Sequence, residues 1–210
     1  MADKVPSLLT RFVPDWTAVE VDLALDLLSR LKRHKDGWHP TKKYERQLVV
    51  KMPTFQPIGL DLKDYILARD LDERVYDPDS FTLLSGVLSE DPYTGEPVAF
   101  RQSEDKSKWY VHIDHVVAVA DAWVSGGYRW PLDGPRWVKF CNWPGNLLAV
   151  SSWANMSKGD SNALWLPSNP KHDWRVRYVI MQLQVKSHFS LSLAESEAEV
   201  MLKVLETANA

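Results

Sequence analysis

Apolar positions recur with helical spacing from Trp16 to Leu31, where Val19, Leu23, Leu27, Leu28 and Leu31 share one face. This predicts an amphipathic helix, with Asp15 as N-cap and Pro14 in the turn before it. Gly37 and Pro40 break the stretch that follows, which reads as loop, and Leu48 to Val50 is a short apolar run closed by Pro53 and Pro57. Leu62 to Leu71 has a helical pattern rich in Asp, and Asp77 to Gly95 carries turn signals throughout. Pro97–Phe100 and Trp109–His115 read as strands joined through the polar turn Arg101–Ser107, a predicted hairpin with Asp114-His115 at its far end. Val116 to Val124 fits helix or strand and is stopped by Gly126-Gly127. Arg136–Cys141 suits a short helix, Trp143-Pro144-Gly145 a turn and Asn146–Val150 a strand. Ser151 or Ser152 then caps a helix that carries Trp153, Asn155 and Lys158 and ends at Gly159. Two more helices, Arg175–Lys186 and Ala194–Leu205, complete the chain, the second with acidic residues in its first turn as the macrodipole favours.

That order of elements is α+β. A chain of 210 residues, 45% hydrophobic and 25% charged, can bury a full core as one domain with elaborations. Ten Trp are many for this length, and most are expected to build core and loop scaffold. The net charge of −3 argues against a protein that coats polyanions generally, but a nuclease site needs only local basic residues. Between Arg30 and Arg46 seven basic residues (Arg30, Lys32, Arg33, Lys35, Lys42, Lys43, Arg46) face two acidic ones, Asp36 and Glu45. Either a solvated helix end or a DNA-contacting patch has this composition. Arg136, Arg175 and Arg177 are further candidates for phosphate contact, equally able to pair with nearby acids. Glu195, Glu197, Glu199 and Glu206 make the C-terminal segment acidic, so it should face away from nucleic acid. The single cysteine, Cys141, excludes an intrachain disulfide and a thiolate metal cage. With no charged-then-apolar leader and no run of transmembrane length, the predicted location is cytoplasmic, with no membrane contact.

The candidate chemistry lies in Asp114, His115, Asn146, Asn155 and Lys158. An unperturbed imidazole has its pKa near working pH, so His115 is a candidate to take a proton from water. Asp114 and Asn155 offer hard oxygen ligands of the kind Mg²⁺ prefers. Asn146 can orient the imidazole or brace the loop beside it. Lys158 can meet phosphate charge, and three residues from Asn155 it shares that residue's helix face. His112, two residues before Asp114 on the same strand face, reads as structural, as do Asp91, a turn former, and Tyr93, a packed ring with a polar tip.

A strand with Asp-His, an Asn at a second strand and a helix bearing Asn and Lys resemble the ββα-metal core of HNH endonucleases. The resemblance extends to Asp91-Pro92-Tyr93-Thr94-Gly95, Ile113-Asp114-His115-Val116-Val117, Asp121-Ala122-Trp123, Asn146-Leu147-Leu148-Ala149-Val150, Asn155-Met156-Ser157-Lys158-Gly159-Asp160 and Trp165-Leu166-Pro167. These are similar to one HNH subfamily, found as the C-terminal domain of GmrSD-type modification-dependent restriction enzymes and as stand-alone actinobacterial nucleases. It covers about residues 60 to 205. The Asn-to-Asn and Asn-to-Lys spacings also resemble the HNH domain of RNA-guided DNA nucleases. Many stand-alone relatives are secreted and carry cysteines near the segments of Leu83 and Asp173; this chain lacks them, which favours action inside a cell.

The resemblance implies a ββα-metal core over about residues 97–160 within a mostly helical nuclease domain, 60–210, after an N-terminal helical and basic extension, 1–59. It implies metal-assisted hydrolysis of DNA. His115 is the general base, Asp114 and Asn155 hold one divalent ion (Mg²⁺ or Mn²⁺), Asn146 supports His115, and Lys158 offsets charge on the phosphate. Two alternatives accompany it. One is a catalytically silent nucleic-acid-binding module. The other is a nuclease subunit that cuts only with a protein partner supplying recognition or NTPase activity, since no Gly-rich phosphate loop is present here.

Overall fold

A threonine, not the aspartate before it, starts the first helix. In this computed structural model, which describes residues 17–45, 61–80, 82–103, 105, 109–132, 134–170 and 172–208, α1 spans Ala18–Arg30. Thr17 Oγ1 accepts from the Glu20 amide at 3.2 Å and the Glu20 carboxylate accepts from the Thr17 amide at 2.9 Å, a reciprocal capping box. Asp15 lies outside the described residues, as do Arg46 and the run Leu48–Val50. The buried stripe of α1 is Val21, Ala24 and Leu28, with Leu25, Leu27 and Leu31 partly buried beside it. Val19 and Leu23, predicted to face the core, stand 66% and 58% exposed. The helix is rotated because it is gripped from two sides, by α6 (His172–His188) and α7 (Glu195–Ala208).

Those three helices form the main core. α6 buries Val176, Val179, Ile180, Leu183 and Val185, which are spread around most of its circumference, so it is the central helix. Residues before 60 thus contribute α1 to the same core as the C-terminal helices. At its centre Lys186 Nζ lies 2.7 Å from Glu197 Oε1 and 2.9 Å from Asp121 Oδ2. This buried triad ties α6 and α7 to α3 (Val119–Val124), and removing one member would strand a charge in the interior. A second cluster stacks Trp123, Trp130, Trp137, Phe140 and Phe189, in agreement with the scaffold role expected of the tryptophans. Gly127 is required there, since a Cβ would sit 2.7 Å from the Trp137 ring. Among the described residues no helix is long and apolar enough to cross a membrane.

Among the described residues three small sheets accompany the helices, in a mixed architecture of α and β elements. β1 (Arg33–His34) runs parallel to β7 (Leu193–Ala194). β2 (Asp72–Tyr76), β3 (Leu83–Leu88) and β4 (Val98–Arg101) form an antiparallel sheet in that order. β5 (Val111–His115) pairs antiparallel with β6 (Leu147–Ser151), His115 opposite Leu147 and Val111 opposite Ser151. The predicted hairpin between the segments Pro97–Phe100 and Trp109–His115 is therefore not formed. β4 pairs with β3, which arises inside the stretch read as turns, and β5 pairs with the wholly buried strand Leu147–Ser151.

Side chains close the outer edge of β6. Asp70 Oδ2 accepts from the Ala149 amide at 2.9 Å, Asp91 Oδ1 from the Ser151 amide at 3.2 Å, and Arg69 donates to the Leu147 carbonyl at 2.7 Å. Arg69 and Asp70 end α2 (Leu62–Asp70), so the Asp-rich helix satisfies backbone groups that a third strand would otherwise have to meet. From β6 the chain enters α5 (Ser152–Lys158), with Ser151 as N-cap and Gly159 at φ +53° ending it. The remaining short helix, α4 (Pro135–Asn142), packs beside the end of β5.

β1 carries a pH-sensitive contact. His34 Nδ1 lies 2.9 Å from Ser192 Oγ, and burial, together with the charge of Lys186, holds its imidazole below its ordinary value of 6.5. The unfolded chain then takes up a proton that the folded one resists, so this contribution is present above 6.5 and is lost as pH falls below it. Between about pH 7.5 and 5.5 the melting temperature of His34→Gln should fall less than that of the parent. Equal falls in the two proteins would contradict this.

Candidate active site

Successive residues of a strand face opposite sides, and β5 separates Asp114 from His115 in this way. The Asp114 carboxylate turns toward Tyr93 and α5. Tyr93 Oη donates to Oδ2 at 2.6 Å, and Lys158 Nζ lies 3.0 Å from Oδ2 and 3.2 Å from Oδ1. Lys158 also donates to the His115 carbonyl at 2.8 Å and is 1% exposed. The sequence suggested an ammonium open to phosphate; the structure places it inside, holding the carboxylate and the backbone of β5 together. Burial and the Asp114 charge push the Tyr93 hydroxyl well above its ordinary range, so it stays a neutral donor.

Asn155 sits on the face of α5 that meets β5, one turn before Lys158. Its Nδ2 donates to His112 Nδ1 at 3.2 Å, and partial burial holds His112 below its ordinary value, which favours the neutral acceptor. His112, read from the sequence as structural, thus ties β5 to α5 through Asn155. The His115 ring takes the other side. It lies parallel to Phe140, 6.3 Å between centroids, with Nε2 2.9 Å from the Cys141 carbonyl oxygen. A carbonyl can only accept, so Nε2 carries the proton and Nδ1 is the basic nitrogen. No side-chain pattern could have revealed this orienting group, because it is backbone at the last turn of α4.

Asn146 resolves to the second of its two sequence readings. It is fully buried, its Oδ1 accepts from the Val117 amide at 2.8 Å and its Nδ2 donates to the Val117 carbonyl at 3.3 Å. Gln182 adds a hydrogen bond to the Val116 carbonyl at 2.6 Å. The turn leaving His115 is therefore braced from both sides.

The donors suit a hard divalent ion. Three of about four acceptor positions on the Asp114 carboxylate are taken, which leaves one on Oδ1, and Asn155 Oδ1 accepts no hydrogen bond among the described residues. One carboxylate and one amide oxygen, with water and substrate oxygens for the rest, match the preference of Mg²⁺. Among the described residues no group of three or more His, Cys, Asp or Glu side chains forms a closed cage.

The basic candidates divide. Lys32, Lys35, Lys42 and Lys43 are exposed, with Lys42 Nζ 5.4 Å from the centroid of the Trp123 ring. Arg33 closes the end of α1, donating to the Leu28 and Leu31 carbonyls. Arg175 donates to the Pro167 carbonyl, and Arg177 pairs with Glu20 at 2.9 Å. Arg136 donates to the Phe189 carbonyl and lies over the Trp130 ring.

Residues 61–204 match the family model described as the C-terminal domain of GmrSD restriction endonucleases. A protein of Arthroderma benhamiae described as an uncharacterized secreted protein is 34% identical over 100 residues, which is 46% of this chain and 47% of that protein. The chain thus spans about half of that relative. No solved structure matches.

Proposed function

The chain belongs to the family of GmrSD restriction endonuclease C-terminal domains, and on that premise we propose that it is a divalent-metal-dependent HNH endonuclease that hydrolyses phosphodiester bonds in DNA. The observation that carries the reading is the His115 ring, pinned by Nε2 to the Cys141 carbonyl at the end of the strand that also bears Asp114. His115 Nδ1 takes the proton of the attacking water, and the carbonyl at Nε2 steadies the resulting imidazolium. Water oxygen bonds to phosphorus as the bond to the 3′ oxygen breaks; the departing 3′ oxyanion takes a proton from solvent water, and the proton on Nδ1 returns to solvent. Asp114 and Asn155, on the face of β5 away from the His115 ring, would hold the ion, Mg²⁺ or Mn²⁺, whose chemistry is Lewis-acid stabilisation of the phosphate and the departing 3′ oxygen. The reading requires the phosphate to reach both faces at the end of the strand. Lys158 holds the Asp114 carboxylate in place beside that position, and Asn146 fixes the backbone from which His115 projects.

Supercoiled plasmid incubated with Mg²⁺ or Mn²⁺ should be relaxed or linearised, and EDTA should stop it. Asn155→Ala should raise the metal concentration for half-maximal cutting by about tenfold or more. Cutting that persists in EDTA, or no cutting with any divalent ion, would overturn the reading.

A second reading is favoured by the family itself, whose model describes the C-terminal part of a larger restriction enzyme. Here the chain is a nuclease subunit, and a protein partner supplies DNA recognition or NTPase activity. Cutting that appears only when that partner is added would support it. Action inside a cell belongs to both readings and is compatible with the one cysteine, buried Cys141.

A further inference from the structure

The densest basic run of the sequence lies between Arg30 and Arg46, and the structure uses part of it internally. Arg33 is spent on the end of α1, and Asp36 holds the start of α7 through Ser196. β1 lies against β7, which leads into α7 and its exposed Glu195 and Glu199.

A second group of exposed positive charge lies on α4 and the end of α6. Arg136 and Lys139 are exposed and three residues apart, so they share one face of α4. That face abuts the end of α6, where Arg136 donates to the Phe189 carbonyl at 2.6 Å. His188, exposed and next in chain to Phe189, stacks on Trp143 with 4.7 Å between centroids and 15° between planes. Burial lowers the His188 imidazole first, and the charges of Lys139 and Arg136 lower it further, so the three groups share one field. Among the described residues none of them pairs with a carboxylate.

This face adjoins the base. Lys139 and Trp143 bracket Cys141, whose carbonyl holds His115. Fixed cations beside a half-exposed, flat aromatic pair combine the two features that track a nucleic-acid strand, attraction to phosphate and a surface for a sugar or base. An acidic protein partner would meet the charge but has no need of the ring pair next to the catalytic imidazole.

Resting on the proposed function, we propose that Arg136, Lys139, Trp143 and His188 carry the phosphodiester backbone of the substrate strand past His115. The path is then set by α4 and the end of α6, not by the basic segment that follows α1.

Binding of the full chain to a labelled DNA duplex, with EDTA present to prevent turnover, tests this over about 50 to 200 mM salt. Lys139→Gln should reduce the slope of log affinity against log salt by about 0.9, one phosphate contact, and Lys139→Arg should restore it. Plasmid cutting by the same proteins is measured in parallel. If the parent cuts DNA but Lys139→Gln binds with an unaltered slope, the strand path is wrong while the nuclease reading stands. A loss of slope in Lys43→Gln with none in Lys139→Gln would place the strand on the N-terminal segment instead. A parent protein that neither binds nor cuts DNA ends both proposals.

Discussion

His115→Ala should cut DNA about 10²- to 10⁴-fold more slowly than the parent, the range that a positioned general base supplies. Its affinity for DNA in EDTA should be unchanged, because the ring is packed on Phe140 and tied to the Cys141 carbonyl, whereas the side chains assigned to strand binding are Arg136, Lys139, Trp143 and His188. Two histidines project from β5, so the result needs His112 beside it. The nitrogen of His112 that would accept a proton already accepts from Asn155 Nδ2, whereas the nitrogen of His115 tied to a carbonyl is the protonated one. His112→Ala should therefore alter the metal concentration required more than the rate at saturating metal. If His115→Ala cuts as fast as the parent and His112→Ala does not, the base lies on the α5 side of the strand. Melting temperatures of both variants guard against a loss that is merely structural.

Local signals carried far in this chain. Ser151 and Gly159 bound α5 as their capping chemistry requires, and the three-residue spacing of Asn155 and Lys158 does put both on the face that meets β5. What escaped was non-local. Which strand β5 would choose depends on β6, which lies beyond two α-helices and two 3-10 turns, and on Arg69, Asp70 and Asp91, which finish the far edge of β6. None of these side chains is adjacent in sequence to the strand it completes. β3 went unread because its six residues lie among Asp, Pro, Ser and Gly, where turn chemistry dominates the pattern. Helical period also located the stripe of α1 only approximately, since a helix held by two partners buries the face between them. The orienting group of His115 is a backbone carbonyl and leaves no trace in residue type.

Lys158 shows most sharply how burial changes a functional prediction. As a solvated helix lysine, its replacement by Met would shift stability by less than about 0.5 kcal/mol and would be judged by activity alone. Its ammonium is instead 1% exposed and spans both oxygens of a carboxylate that is 7% exposed. Lys158→Met should then cost about 3–5 kcal/mol in urea unfolding, because Asp114 is left as a buried charge without its counter-ion. Asp114→Asn in the same chain should recover much of that loss, since the Tyr93 hydroxyl can donate to an amide oxygen as it does to the carboxylate. The recovery is the decisive measurement. It separates an ion pair inside the fold from a lysine whose work is done on the substrate, for which the two replacements would simply add. Slow cutting by Lys158→Met is evidence of a phosphate contact only if the protein melts with the parent; if it does, the ammonium leaves Asp114 in solution and the buried pair is not what holds β5 to α5.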